Sequence, residues 1–150
     1  MNKLERCRRA KEYHDLGFNC AQSVLEAFRD RVGLTEEQCR GLATGLGGGF
    51  RCGSICGAAS GAVLVLGLLH PHATQNDPAR KAYTAKLTKE LLARFSARFQ
   101  GLLDCRDLLQ AKDLQGTEEV AALGAEKHCE TLIISAVSIL YDYLEELEEE

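Results

Sequence analysis

Apolar residues recur at spacings of three and four along almost the whole chain, interrupted by glycines and preceded by short polar residues, and this rhythm predicts helices. Asn2–Leu16 reads as a charged helix stopped by Gly17. Asn19 is placed to cap a second helix, with Cys20, Val24 and Phe28 on one face, Leu25 and Val32 beside them and Gly33 at its end. Thr35 and Gln38 form a capping-box pattern for a third, whose apolar stripe is Cys39, Leu42, Ala43 and Leu46. Asp77-Pro78 reads as a cap followed by proline in the first turn. The helix behind it runs to about Phe99 with Leu87, Leu91, Phe95 and Phe99 inward, and Gly101 stops it. A short helix, Cys105–Lys112, follows Asp104. The last helix starts between Thr117 and Ala125 and carries Cys129, Leu132, Ile133, Ala136, Val137, Leu140, Leu144 and Leu147.

Two stretches depart from this rhythm. Gly45–Gly53 holds five glycines and cannot be an ordinary helix. Gly53–Leu69 has no charge and is apolar on every side, with Ser54 as its expected cap; such a helix belongs in the middle of a bundle. It falls short of the roughly 20 residues that cross a bilayer, so no membrane insertion is expected. Gly57 and Gly61, four apart, would let a neighbouring helix approach closely, and a homodimer could use that face and the long last helix. No segment reads as a strand. The expected fold is all-α, a single-domain bundle of five to seven helices over residues 1–150, built around the glycine-containing apolar helix.

Composition agrees with that picture and adds one anomaly. Hydrophobic residues make up 45 % and charged residues 27 % of 150, as in a soluble globular domain, but seven are cysteine. An odd number cannot close entirely into internal disulfides. The start of the chain has no apolar signal segment, which points to the cytoplasm, where thiols stay reduced. Net charge is −4, and residues 118–150 hold ten acidic groups against Lys127 alone, which argues against a nucleic-acid partner.

Four of the cysteines share a placement. Cys20 and Cys105 directly follow the caps Asn19 and Asp104, Cys56 lies two residues after Ser54, and Cys129 stands early in the last helix. Unpaired N–H groups and the positive end of the helix dipole stabilise a thiolate there, so these thiol pKa values should fall. Cys39 reads as core filler and Cys7 as an incidental surface thiol. Cys52 forms a C-x-x-x-C pair with Cys56 beside Arg51 and could join either group. Gly47, Gly48, Gly49 and Gly57 are points where backbone could approach a cofactor or a small anion, although the segment matches neither a P-loop nor a dinucleotide fingerprint. His70 and His72 follow a helix end, His14 reads as solvated, and His128 should point away from its neighbour Cys129.

Cys56-Gly57-Ala58-Ala59-Ser60-Gly61 resembles the signature of the redox-active C_GCAxxG_C_C family, named for its cysteines and its C-G-A-x-x-G motif. Asn19-Cys20-Ala21-Gln22-Ser23-Val24 resembles its first cysteine segment, Cys105-Arg106-Asp107-Leu108-Leu109 its third, and Cys129 stands at the fourth. The resemblance implies Cys20, Cys56, Cys105 and Cys129 as the core of a redox site and makes Cys7, Cys39 and Cys52 additions of this chain. The leading expectation is thiol–disulfide chemistry, with Cys56 as nucleophile and Cys20 or Cys52 resolving, serving an unidentified redox partner. The alternative is an iron–sulfur cluster or zinc held by the four thiolates; a helical interaction module without redox chemistry is the third reading. No C-x-x-C-H is present, so attached haem is excluded.

Overall fold

Local capping decides where most helices begin. In the computed structural model, which describes residues 1–149, Asn2, Asn19 and Thr35 each accept a hydrogen bond from the third helical N–H. Glu5, Gln22 and Gln38 return the contact to the cap backbone, completing three capping boxes. These open α1 (Lys3–Asp15), α2 (Cys20–Ala27) and α4 (Glu36–Ala43). A four-residue helix, α3 (Arg29–Val32), follows a break at Phe28, and Gly33 ends it at φ +72°. The apolar segment forms α5 (Gly57–Leu69), and Asp77 caps α6 (Pro78–Arg98) by accepting from the Arg80 N–H. α7 (Cys105–Gln110), α8 (Glu118–Ala122) and α9 (His128–Glu149) complete the chain. The fold is an all-α, multi-helix bundle; among the described residues the only strand-like pairing is one antiparallel bridge between Ile55 and Asp104. No helix among them is long and apolar enough to cross a membrane.

Several expectations need correction. The last helix starts later than the periodicity suggested, at His128, because Gly124 takes a left-handed conformation (φ +64°) that splits α8 from α9. Ser54 does not cap α5; Ile55 is held in the bridge, so the helix starts one residue after Cys56, which takes the cap position itself. Leu42 is half exposed because α4 turns only Cys39 and Ala43 inward. Cys7 is no surface thiol: it is fully buried, because α1 packs its Arg6–Cys7–Ala10–Tyr13 side into the bundle, and its Sγ donates to the Ile134 carbonyl of α9 at 3.5 Å.

The apolar helix α5 is not enclosed on every side. Its Gly57–Ala62 stretch and Val65 and Leu66 are buried, while Leu68 is exposed and Val63 and Leu64 are half-buried. α2 lies at the centre of the packing: it touches α1, α3, α4, α5 and α9 and buries Ala21 through Ala27 apart from Gln22. Close packing of α5 on α2 depends on glycine. A Cβ at Gly61 would stand 2.8 Å from the Ala21 carbonyl oxygen and 3.1 Å from the Val24 Cβ. The small-residue face is therefore spent inside the chain.

The glycine segment before α5 makes one left-handed turn. Gly48, Gly49, Phe50 and Arg51 all have φ between 57° and 62°, and two of the four are not glycine. Left-handed backbone costs a side-chain-bearing residue roughly 1–2 kcal/mol, so Phe50 and Arg51 hold strain that surrounding contacts must offset. A Cβ at Gly49 would lie 2.3 Å from the Ser54 carbonyl oxygen, so only glycine fits where the turn closes on itself.

Candidate functional site

Each of the four cysteines at a predicted helix start is set by its own local device. Cys20 is the first residue of α2, directly behind Asn19. Asn19 also donates from Nδ2 to the Ala43 and Thr44 carbonyls at 3.1 and 3.2 Å, and Gln22 from Nε2 to the Arg40 carbonyl at 3.0 Å. These bonds satisfy the open end of α4 and fix the start of α2 against it. The Asn and Gln of Asn19-Cys20-Ala21-Gln22 thus have a second function that capping rules alone did not reveal.

Cys56 and Cys105 are placed by the bridge. The Cys56 N–H donates to the Leu103 carbonyl at 2.9 Å and the Cys105 N–H to the Ser54 carbonyl at 2.6 Å. Side chains alternate along extended backbone, so Cys56 and Cys105 leave the face opposite to Ile55 and Asp104, diagonally across the pair. Gly57 then lets α2 approach: a Cβ there would meet the Cys20 Cβ at 3.2 Å. Cys129 arrives on the first turn of α9, whose start is tied to α7 because His128 Nε2–H donates to the Leu108 carbonyl.

The result is a convergence of all four. Every pairing among Cys20, Cys56, Cys105 and Cys129 is close enough for one sulfur's charge to act on the other. Cys20 and Cys129 are neighbours in this set, and their mutual interaction, together with burial, raises the Cys20 pKa strongly. The same interaction, aided by the charge on His128, holds Cys129 down to about 6 against the burial that opposes it. Burial pushes Cys56 up to about 11, although the Ala58 and Ala59 N–H groups act in the other direction, and burial also raises Cys105. The expected depression at helix starts therefore appears at Cys129 alone, because at Cys56 and Cys105 desolvation outweighs the helix end. His128 makes no direct bond to Cys129, as helix geometry requires, yet its charge reaches it.

The remaining candidates lie elsewhere. Cys52 is exposed, donates to the Gly49 carbonyl at 3.4 Å, and has its own carbonyl bound by Arg106 at 2.9 Å. Cys39 is buried in the core and Cys7 is raised to about 12 by burial. A Cβ at Gly47 would strike the Asn19 Cβ at 2.7 Å, so Gly47, like Gly49, serves an approach within the chain; Gly48 has only the Arg51 side chain nearby. His14, Asp15 and Glu130 form a potential metal-coordinating cluster, one ligand atom from each lying within 4.8 Å of the others. Among the described residues, no three cysteine sulfurs form a set that tight.

The family model described as "Putative redox-active protein (C_GCAxxG_C_C)" matches residues 18–143. The chain belongs to the C_GCAxxG_C_C family. The matched region begins just before Cys20 and ends in α9, so it takes in all four convergent cysteines of this C_GCAxxG_C_C protein and leaves the whole of α1, with Cys7, outside. No curated protein and no solved structure matches the chain.

Proposed function

We propose that this protein carries out thiol–disulfide redox chemistry with Cys129 and Cys20 as the exchanging pair and Cys56 and Cys105 as flanking thiols. The observation that supports this reading is the convergence of the four thiols, within which Cys20 and Cys129 act most strongly on each other. Both residues are partly accessible, whereas Cys56 is buried. On this basis Cys129 replaces Cys56 as the preferred nucleophile. The Cys129 thiolate attacks a disulfide of the partner, forming a mixed disulfide and expelling one partner sulfur as thiolate, which takes a proton from solvent. Cys20, losing its proton to solvent, then attacks the Cys129 sulfur and expels the second partner sulfur. The partner's disulfide is reduced by two electrons, and Cys20 and Cys129 are oxidised to a disulfide. A reducing compartment such as the cytoplasm suits a resting state with all thiols free.

The same donor set supports a second reading. Four thiolates are soft ligands suited to an iron–sulfur cluster, and Cys20, Cys56, Cys105 and Cys129 would hold it, supplying one-electron transfer. Mononuclear zinc fits less well: zinc–sulfur bonds of about 2.3 Å bring tetrahedral sulfurs to roughly 3.8 Å, tighter than any three of these cysteines stand.

The test uses a Cys52→Ser background, which removes the exposed thiol that any reagent reaches. Anaerobically purified protein is treated with one equivalent of 5,5′-dithiobis(2-nitrobenzoate) and mapped by peptide mass spectrometry. Thiol exchange predicts two equivalents of released thionitrobenzoate and a Cys20–Cys129 disulfide, with the mixed disulfide trapped on Cys129 when Cys20 is replaced by serine. Bound iron and sulfide with visible absorption, lost in Cys→Ser variants of the four, would support the cluster instead.

A further inference from the structure

The end of α1 and the start of α9 bring together side chains that the thiol chemistry does not use. His14 and Asp15 are the last two residues of α1, and Glu130 lies in the first turn of α9. One imidazole nitrogen and one oxygen from each carboxylate lie within 4.8 Å of one another. Asp15 is exposed and His14 half-buried, so the set opens to solvent on that side. Glu130 is different, being only 3 % exposed. Its carboxylate pairs among the described residues with Lys127 Nζ alone, at 4.0 Å, which is beyond hydrogen-bond reach, and Lys127 itself stands largely in solvent. A carboxylate withdrawn from water is costly unless donors or a cation meet it closely. Here a second carboxylate faces it. Asp15 has a counter-ion of its own in Lys11, at 3.0 Å, and it also stands at the negative end of the α1 dipole. Two carboxylates and a helix C-terminus therefore share one spot, with Lys11 and Lys127 as the cations at its edge.

We propose that His14, Asp15 and Glu130 bind one divalent first-row metal ion of the manganese or iron(II) kind, clipping α1 to α9. Carboxylates suit hard ions and imidazole suits borderline ones, and these two ions accept both. Calcium and magnesium take oxygen ligands and leave the imidazole without a function, while zinc and copper go to the softer thiolates first. Octahedral bonds of about 2.1 Å set neighbouring ligand atoms roughly 3 Å apart. Rotation of the exposed Asp15 and the half-buried His14 closes the difference, with Glu130 held in place by its burial. The two carboxylates balance the charge of the ion, which stands between groups that otherwise repel, and Lys11 and Lys127 turn out to solvent. His14 and Asp15 precede residue 18, so two of the three ligands lie outside the region that the family model matches.

The experiment titrates the reduced full-length protein with manganese(II) chloride and follows free Mn²⁺ by its electron paramagnetic resonance signal. We expect one ion bound per chain, and a higher melting temperature in its presence because the ion favours the folded arrangement. Glu130→Gln, His14→Ala and the exposed Asp15→Asn should each weaken binding about tenfold or more, since each removes one of the three protein ligands. Lys127→Ala, a change on the solvent side, should tighten binding by up to about fivefold, because it removes the cation now paired with Glu130. A merely structural role for these residues does not move the two kinds of variant in opposite directions. No Mn²⁺ binding at millimolar concentration, binding that survives all three ligand replacements, or weaker binding by Lys127→Ala would each overturn the proposal. No thiol enters the readout, so this proposal and the thiol-exchange reading fail separately.

Discussion

A thiol in this protein acquires its character from what touches it more than from where its helix starts. Cys20, Cys56, Cys105 and Cys129 all stand at or beside a helix start, yet only Cys129 is pulled below the ordinary thiol range, through its interaction with Cys20 and the charge of the neighbouring His128. Removing Cys20 should undo this. In Cys20→Ala, the Cys129 pKa rises from about 6 towards its usual value, and alkylation of Cys129 by iodoacetamide at pH 7 slows, by only about twofold over the first unit of rise and by up to about tenfold for each unit beyond 7. Rates followed from pH 5 to 9 on Cys129-containing peptides check this; an unchanged profile would show that Cys20 does not set the thiolate. The same contrast shows what was legible beforehand. The helix-start placement of Cys20, Cys56 and Cys105 was visible because each follows a cap or an extended residue, a local pattern. The partner of Cys129 lies more than a hundred residues away in the chain, and no spacing rule announces it. Cys7 was misjudged for a related reason: its neighbours are charged, but Arg6 is itself buried, bonded to the Ala27 carbonyl and paired with Asp30.

Helix boundaries were legible wherever side chain and backbone meet within four residues: the Asn19 cap, the Thr35–Gln38 capping box and the Asp77 cap stand as predicted, while the box at Asn2 and the return contact of Gln22 add to them. Asn19 is the most consequential, since it closes α2 and also binds the end of α4. Asn19→Ala should destabilise the protein by about 1–2 kcal/mol, read as a lower urea midpoint with unchanged slope. The α2–α5 contact is as demanding. Gly61→Ala puts a methyl group against the backbone of Ala21, which cannot swing aside, and should cost roughly 1–3 kcal/mol in the same measurement. The left-handed turn behaves oppositely and was illegible, because Phe50 and Arg51 are residues that ordinarily avoid such backbone. Arg51→Gly removes a left-handed penalty of roughly 1–2 kcal/mol and gives back about 0.5–1 kcal/mol in unfolded-state entropy. A net stabilisation of up to about 1 kcal/mol is expected, and a loss instead would mean that the Arg51 side chain holds the turn.

Across the whole molecule, charges that are segregated in sequence are brought together in space. The acidic last helix reaches back to basic residues of three others: Asp142 pairs with Lys3, Glu146 with Arg94 and Glu148 with Arg31. These are largely exposed pairs, so each adds little and salt screens them. The stronger global dependence on solution conditions comes from buried acids that must stay neutral. Burial raises Cys7 to about 12 and Cys56 to about 11, and raises Tyr13 and Tyr143 above their ordinary values. For an acid whose folded pKa exceeds its unfolded one, the stabilisation is complete below the unfolded value and is lost as pH climbs through the folded value. The thiols therefore begin to withdraw stability above about pH 8.5, and that loss continues to about 11 for Cys56 and 12 for Cys7. Cys129 has the opposite sign, since its contribution is present above the unfolded thiol value and fades as pH falls towards about 6. Thermal unfolding followed by circular dichroism should show a melting temperature that falls steadily between pH 8.5 and 11. Cys7→Ala should start lower, because it opens a small cavity beside Ile134, and then fall less over that range. Parallel curves for the two proteins would mean that Cys7 does not titrate differently on folding, and would place the alkaline loss on the other raised thiols and the tyrosines.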